Sequence, residues 1–127
     1  MIKINRLDHL VLTVKDIDKT VEFYEKLGFQ KEIFKGTRVA LKFGNQKINL
    51  HKLGAEFEPK AYNVKEGSGD LCFIVDTKIA EVKEYLESLG IEIEEGIVPR
   101  TGAIGNIESI YIRDPDKNLI ELSNYID

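Results

Sequence analysis

The chain has 127 residues, of which 43% are apolar and 31% are charged, and its formal net charge is −4. This composition predicts one soluble globular domain, and the mixed Lys and Glu surface offers no basic patch for a nucleic acid. No apolar run reaches the roughly 18 residues of a membrane-spanning helix, and the N-terminus MIKINRLDH has no hydrophobic signal segment. The single cysteine, Cys72, cannot form an internal disulfide, so we expect a reducing, cytoplasmic location.

The first part of the chain, residues 1–53, is predicted to form a βαβββ module. Alternating apolar residues indicate the strands, Asp16 is a suitable N-cap for the helix, and Gly28 ends that helix. The dipeptide Gly44-Asn45 predicts a tight hairpin. The predicted elements are a strand at 7–14, a helix up to 28, and strands at 29–34, 37–43 and 47–53.

Residues 54–69 are predicted to connect this module to a second one at 70–127. In the second module Thr77 is the expected helix N-cap, and Asp114-Pro115-Asp116 predicts a turn before the last strand. The segment GIVPRTGAIG is rich in Gly and Pro and is expected to be a flexible loop. The predicted elements are a strand at 70–75, a helix ending at Gly90, and strands at 92–94, 107–113 and 118–125.

The two modules are similar in sequence. LDHLVLTVKDIDKTVEFYEKLGF in the first corresponds to GDLCFIVDTKIAEVKEYLESLGI in the second, and an offset of 61 residues places Asp70 against His9. The repeat predicts an α+β fold in which two βαβββ modules form one curved mixed sheet, or half-barrel. The helices would pack on its outer face, within a single domain over residues 1–127.

Side chains alternate along a strand, so each strand offers one set to the helices and one to the concave face. In the first and last strand of each module one set is uniformly apolar and should face the helices. Superposing NLIELS on QKINLH pairs Glu121 with Asn49 and Ser123 with His51. The mixed sets place five polar candidates on the concave face: His9, Asn49, His51, Asp70 and Glu121.

Imidazole and carboxylate groups are costly to bury unless they are paired or bound to metal. Together these groups suit Zn²⁺, Mn²⁺, Ni²⁺ or Fe²⁺. Structural alternatives exist for each candidate: His9 bonded to Asp8 or Asp70, Glu121 paired with an Arg or Lys, and Asp70 accepting backbone N–H groups. His51 has the alternative of a solvated residue at the end of a strand.

Arg100 lies in GIVPRTGAIG and is a candidate for binding an anionic substrate group bidentately. The loop around it has the composition of a lid over a site. A merely solvated surface arginine is the alternative.

The segments LDHLVLTVKDIDKTVEFYEKLGF, FGNQKINLH and YIRDPDKNLIELSNY resemble the vicinal oxygen chelate superfamily, which includes glyoxalases, extradiol dioxygenases and bleomycin resistance proteins. FEPKA and VPRTGAIG are similar to the branch of glyoxalase domain-containing protein 5 and bacterial virulence proteins. The resemblance implies metal ligands at the first and last strand of each module, which are here His9, Asn49, Asp70 and Glu121. It also implies a homodimer.

Asn49 stands where glyoxalase I has a glutamate, and Asp70 where several of these enzymes have a histidine, so glutathione-dependent chemistry is not expected. The resemblance implies a metal-dependent enzyme, of lyase, isomerase or dioxygenase type, acting on a small oxygenated substrate. Its divalent ion would be held by His9, His51, Asp70 and Glu121. Glu121 or His51 would move protons, and Asn49, Arg100 and Ser123 would bind substrate. The alternatives are a non-catalytic small-molecule binding protein and an orphan dimer with a vestigial cavity.

Overall fold

The computed structural model describes residues 1–126. By its internal contacts the chain divides into two compact units, unit 1 over Met1–Ser68 and unit 2 from Gly69 onward. Each unit has one four-stranded mixed sheet and one helix in the order βαβββ, which confirms the predicted α+β class. The segment predicted to connect the modules belongs to unit 1 except for its last residue, Gly69. None of the helices within residues 1–126 is long and apolar enough to cross a membrane.

In unit 1 the sheet order is β1-β4-β3-β2, with β1 parallel to β4 and the other pairs antiparallel. The Asp16 side chain caps the helix by accepting a hydrogen bond from the Lys19 amide at 3.0 Å, as predicted. Gly44-Asn45 forms the expected two-residue turn. The elements are β1 His9–Val14, α1 Ile17–Lys26, β2 Gln30–Phe34, β3 Arg38–Phe43 and β4 Gln46–Lys52.

Unit 2 repeats this topology with the sheet order β5-β8-β7-β6. In unit 1 His9 lies opposite Lys47, and in unit 2 Asp70 lies opposite Leu119. These pairs correspond under the superposition of the two modules, so the duplication extends to the strand register. The elements are β5 Asp70–Ile74, α2 Ile79–Ser88, β6 Glu95–Thr101, β7 Asn106–Arg113 and β8 Leu119–Tyr125.

The apolar strand sets form the core of each unit, as strand alternation predicts. Leu12, Val14 and Leu50 are buried in unit 1, whereas His9 and Val11 on the other face of β1 are exposed. Each buried Leu or Ile side chain stabilises the fold by about 1.5–3 kcal/mol relative to exposure. The remaining face of each sheet therefore carries the polar residues.

The first six residues of the expected loop in unit 2, 96–101, belong to a strand instead, and only 102–105 lie outside the strands. The structure has no strand at 92–94 but places β6 at Glu95–Thr101, antiparallel to β7. Pro99 is compatible with this position because β6 is an edge strand and needs no second row of hydrogen bonds. Gly96 has φ 138° and sits at a register shift, where a Cβ would lie 2.7 Å from Ile110 Cγ2. The glycine and proline that indicated a loop thus mark a bulged edge strand.

The N-cap predicted for the second helix was also wrong. Lys78 is the N-cap of α2 and makes no side-chain capping bond. Asn124 on β8 takes over this role: its Oδ1 accepts the Ile79 amide at 2.7 Å, and its Nδ2 donates to the carbonyls of Val75 and Thr77 at 2.9 Å. The cap therefore comes from a residue distant in sequence, which local helix-capping rules cannot identify.

We expect Asn124→Ala to destabilise the protein by about 1–3 kcal/mol, because it leaves the first helical amide and two carbonyl groups without their partner. Thr77→Ala should change the free energy of unfolding by less than about 0.5 kcal/mol. Urea unfolding followed by circular dichroism measures both. The reverse ranking of the two variants would show that Thr77 caps the helix.

Candidate functional site

Glu121 lies in the middle strand pair of unit 2, on the face that carries the polar residues. Its neighbours across the sheet are Cys72 on β5 and Tyr111 on β7. The next row places Ser123 beside Ser109. Strand pairing therefore gathers a carboxylate, two hydroxyls, a phenol and a thiol on one side of this sheet.

A directed chain of hydrogen bonds holds the Glu121 carboxylate. Ser109 Oγ donates to Glu121 Oε2 at 2.6 Å and lies 2.6 Å from Ser123 Oγ. The Ser123 hydroxyl also lies 3.5 Å from Glu121 Oε2, so its single proton can go to Ser109 or to Glu121. Cys72 Sγ lies 3.5 Å from Ser123 Oγ and can donate to it in turn. Burial raises the pKa of Cys72, so its sulfur keeps the proton that this donation requires.

Arg100 joins the same face through Tyr111. Its Nε donates to Tyr111 Oη at 2.9 Å, while its other nitrogens contact the Pro99 carbonyl at 2.8 Å and Glu95 Oε1 at 3.3 Å. Burial, followed by the charge of Glu121, raises the pKa of Tyr111, so the phenol remains a hydrogen-bond donor. Arg100 is thus a positioned strand residue, and its assignment to a flexible lid was wrong.

Asp70 begins β5 in the row next to Glu121, beside Leu119. It is exposed, and its negative charge contributes to raising the pKa of Arg113. Arg113 itself donates to both carboxylate oxygens of Glu94, from Nε at 2.9 Å and from Nη2 at 3.0 Å. Asp70 and Glu121 are therefore two carboxylates on neighbouring rows of one sheet face.

In unit 1 His9 contacts Asp8, which is one of the structural alternatives considered for it from the sequence. Its Nδ1 lies 2.8 Å from Asp8 Oδ1, and 46% of its side chain is exposed. This hydrogen bond is the main cause that lowers the pKa of Asp8. In the strand register His9 lies opposite Lys47, one row from Asn49.

His51 is buried, with 8% relative exposure, and is not a solvated strand end. Its ring packs edge-on against Phe57 at 5.4 Å, and the Arg38 guanidinium lies 4.0 Å from the centre of the Phe57 ring. Burial lowers the pKa of His51, and the Arg38 charge lowers it further, so the imidazole is neutral at pH 7. His51 Nδ1 and Asn49 Oδ1 are buried and find no hydrogen-bond partner among the described residues.

Metal-binding geometry was tested on the described residues. Within residues 1–126 no three His, Cys, Asp or Glu side chains are close enough together to hold an ion. His9 and His51 share one face of unit 1 but lie at opposite ends of the β1–β4 pairing. The predicted metal set of His9, His51, Asp70 and Glu121 places two residues in each unit and stays a prediction.

Sequence reasoning missed four residues at these sites: Ser109, Tyr111, Arg38 and Phe57. The signal for Ser109 and Tyr111 is present in NIESIYIR, where they alternate with apolar residues. Pairing this strand antiparallel to β8 through the Asp114 turn places both beside the Glu121 face. Phe57 carries no such signal because it lies outside the strands.

The depressed pKa of His51 predicts a pH-dependent stability. The unfolded chain has a histidine pKa of about 6.5 and the folded protein a lower one, so protonation favours unfolding. In metal-free protein the stability should fall as the pH drops below about 6.5 and level off below the folded pKa. Urea unfolding across this range measures the slope. His51→Gln should remove it and His9→Gln should retain it; an unchanged slope in His51→Gln would contradict the assignment.

Relatives of known name match almost the whole chain. It is 54% identical over 126 residues to glyoxalase domain-containing protein RDO1 of Mycosarcoma maydis, covering 99% of this chain and 72% of that protein. It is 59% identical over 124 residues to virulence protein STM3117 of Salmonella typhimurium, covering 97% and 86%. The crystal structure of STM3117 superposes with a TM-score of 0.97 at 58% identity, covering 98% of this chain and all of that one.

A more distant solved structure has the same fold. Lactoylglutathione lyase from Agrobacterium tumefaciens superposes with a TM-score of 0.73 at 27% identity, covering 96% of this chain and 95% of that one. The family model described as the Glyoxalase/Bleomycin resistance protein/Dioxygenase superfamily matches residues 6–122. The chain therefore belongs to the Glyoxalase/Bleomycin resistance protein/Dioxygenase superfamily.

Proposed function

We propose that this chain is a metal-dependent enzyme that acts on a small oxygenated substrate, with Glu121 moving a proton. The observation that carries the proposal is the fixed position of the Glu121 carboxylate, which Ser109 holds through Oε2 at 2.6 Å. A half-buried carboxylate on a strand is costly unless it is paired or used. Positioned carboxylates of this kind accelerate proton transfers by about 10²–10⁴-fold.

Tyr111 and Arg100 supply the complementary group for this chemistry. Because Arg100 Nε donates to the Tyr111 oxygen, the phenolic proton points to a different acceptor, and Glu121 is one within hydrogen-bond reach. A substrate oxygen that gains negative charge beside Glu121 would then receive the Tyr111 O–H bond and the field of the guanidinium. Ser123 supports this site through its hydroxyl, which lies 2.6 Å from Ser109 Oγ and 3.5 Å from Glu121 Oε2.

The donor types of His9, Asp70 and Glu121 suit a divalent ion such as Mn²⁺, Zn²⁺, Ni²⁺ or Fe²⁺, with His51 as a further candidate. When bound, the ion would polarise the substrate oxygens as a Lewis acid. Fosfomycin resistance protein FosX of Listeria monocytogenes, which is 30% identical over 129 residues, has been crystallised with Mn(II) and sulfate. We keep the metal identity open, and we expect the enzyme to be a homodimer in a cytoplasmic setting.

The competing candidate is a non-catalytic small-molecule binding protein. Asn49 favours it, because an amide in this position can bind a ligand but cannot take up a proton. His51 fits this candidate as well, because its buried Nδ1 has no partner among the described residues and can bond to a ligand.

We expect Glu121→Gln to lower turnover by about 10²-fold or more, since the amide has the shape of the carboxylate but is not a base. Glu108→Gln is the matched control, because Glu108 lies on neighbouring β7 but on the opposite face from Ser109. Turnover is measured with hemithioacetals, with fosfomycin, and with catechols under oxygen, and each divalent ion is added in turn to each assay. Full activity of Glu121→Gln would contradict the proton-transfer role, and specific binding of one compound without turnover would favour the binding protein.

We expect protein purified without an affinity tag to hold about one divalent ion per chain after incubation with Mn²⁺, Ni²⁺, Zn²⁺ or anaerobic Fe²⁺. His9→Ala combined with Glu121→Ala should lose that ion, because both predicted ligands are removed. Elemental analysis after gel filtration measures the content, and Glu108→Ala serves as the control. Wild-type protein that remains metal-free under all four conditions would exclude the metal-dependent form of the proposal.

A further inference from the structure

We propose that the polar sheet face of unit 1 binds a small molecule with an anionic group at one end and a hydrogen-bond-donating group, preferably an ammonium, at the other. This face is formed by Glu32, Arg38, Ala40, Asn49 and His51 and is covered in part by Phe57. The inference goes beyond the proposed function: it concerns binding to unit 1 and does not depend on the reaction assigned to Glu121.

Three buried polar atoms on this face lack a partner. Glu32 Oε2, Asn49 Oδ1 and His51 Nδ1 are each shielded from solvent and form no hydrogen bond with any described residue. Native proteins rarely leave such atoms unsatisfied, because each forfeits its bonds to water on folding. Glu32 Oε2 and Asn49 Oδ1 can only accept, so the group that satisfies them must be a donor.

The strand register arranges these atoms in two rows. Glu32, Ala40 and Asn49 are directly opposite one another across β2, β3 and β4. The next row contains Arg38, which lies opposite Phe34 on β2. On the other side, Val39 lies opposite Leu50, so the register continues with Arg38 opposite His51. Two residues along a strand span about 7 Å, which sets the distance between the rows.

The two rows differ in charge. Arg38 forms no ion pair with any residue of the described chain, and its guanidinium carbon lies 4.0 Å from the centre of the Phe57 ring, over its face. A guanidinium in this setting is a site for a carboxylate or another anion. The other row has the Glu32 carboxylate and the Asn49 oxygen, between which Ala40 contributes only a methyl group. A zwitterion with about 7 Å between its charged ends matches both rows at once.

His51 adds specificity at the anionic end. Its Nδ1 is buried without a partner among the described residues, and an imidazole nitrogen can donate or accept one hydrogen bond according to the tautomer. Phe57 fixes this end, since it contacts both Arg38 and His51. The segment that carries Phe57 is itself anchored, because neighbouring Glu56 accepts the Gly54 amide at 2.7 Å and pairs with Lys60 at 3.6 Å.

The test uses a matched series of four probes: butyrate, butylamine, 4-hydroxybutyrate and 4-aminobutyrate. The chain has only two histidines, so imidazole ¹⁵N NMR reads His51 directly, with exposed His9 as an internal control. In chelator-treated protein, 4-aminobutyrate should shift the His51 resonances saturably and leave His9 unchanged. 4-Aminobutyrate should bind at least about tenfold more tightly than butyrate or butylamine, because it alone places a charged group at each of the two rows. The affinity of 4-hydroxybutyrate should be intermediate.

Arg38→Gln and Glu32→Gln should each weaken 4-aminobutyrate binding by about tenfold or more. Lys42→Gln is the control for Arg38, because it removes a positive charge from the same strand face one row beyond Ala40. Circular dichroism and His9 chemical shifts verify folding. A conservative Arg38→Lys variant keeps the charge but not the planar stack on Phe57, and should bind with intermediate strength.

The inference would be overturned if none of the four probes shifted the His51 resonances saturably, or if all four bound equally well. Buried water would then be the hydrogen-bond partner of the three polar atoms. Unchanged binding in both Arg38→Gln and Glu32→Gln would overturn it as well. The outcome is independent of turnover: Glu121→Gln lies in unit 2 and should retain 4-aminobutyrate binding. A wild-type protein without bound metal or turnover would therefore refute the proposed function without affecting this inference, and the converse also holds.

Discussion

The parallel pairing of the first and last strand in each unit is the constraint on which both candidate sites depend. In β1–β4 and in β5–β8 the register is the same under the duplication, and it sets which side chains share a row. Since side chains alternate, a shift of one residue would send Glu121 or His51 into the apolar core. The buried Ile and Leu side chains on the helix-facing side prevent that shift, so the packing of the core fixes the chemistry of the opposite face.

The sequence was sufficient for those features that depend on periodicity. It predicted the βαβββ order, the Asp16 cap, the Gly44-Asn45 turn and the polar faces that carry Glu121 and His51. It failed where a distant residue or an edge position decides the outcome. Asn124 caps α2 from another strand, and Pro99 is accommodated because β6 has a free edge. The Ser109 and Tyr111 contacts require the pairing of β7 with β8, which periodicity alone does not provide.

The duplicated positions have diverged in how they satisfy their polar atoms. By strand register, Ala40 lies opposite Asn49 as Tyr111 lies opposite Glu121. Two residues before Ala40 and Tyr111, Arg38 therefore corresponds to Ser109, and on the neighbouring strand His51 corresponds to Ser123. In unit 2 the short Ser109 side chain stays on the sheet and donates to Glu121. In unit 1 the long Arg38 side chain instead extends over Phe57, and Asn49 Oδ1 receives no donor.

This difference separates two kinds of polar site built on one topology. A carboxylate that its own neighbours already orient needs no ligand to be stable, and it is available for proton transfer. An amide and an imidazole with unpartnered atoms gain most when a molecule supplies the missing bonds, which is the energetic basis of recognition. The same strand positions thus hold a hydrogen-bonded carboxylate in unit 2 and buried polar atoms without a partner among the described residues in unit 1. Duplication gave both faces the same register, and the identity of the residue at the Arg38 and Ser109 positions determined which of the two each became.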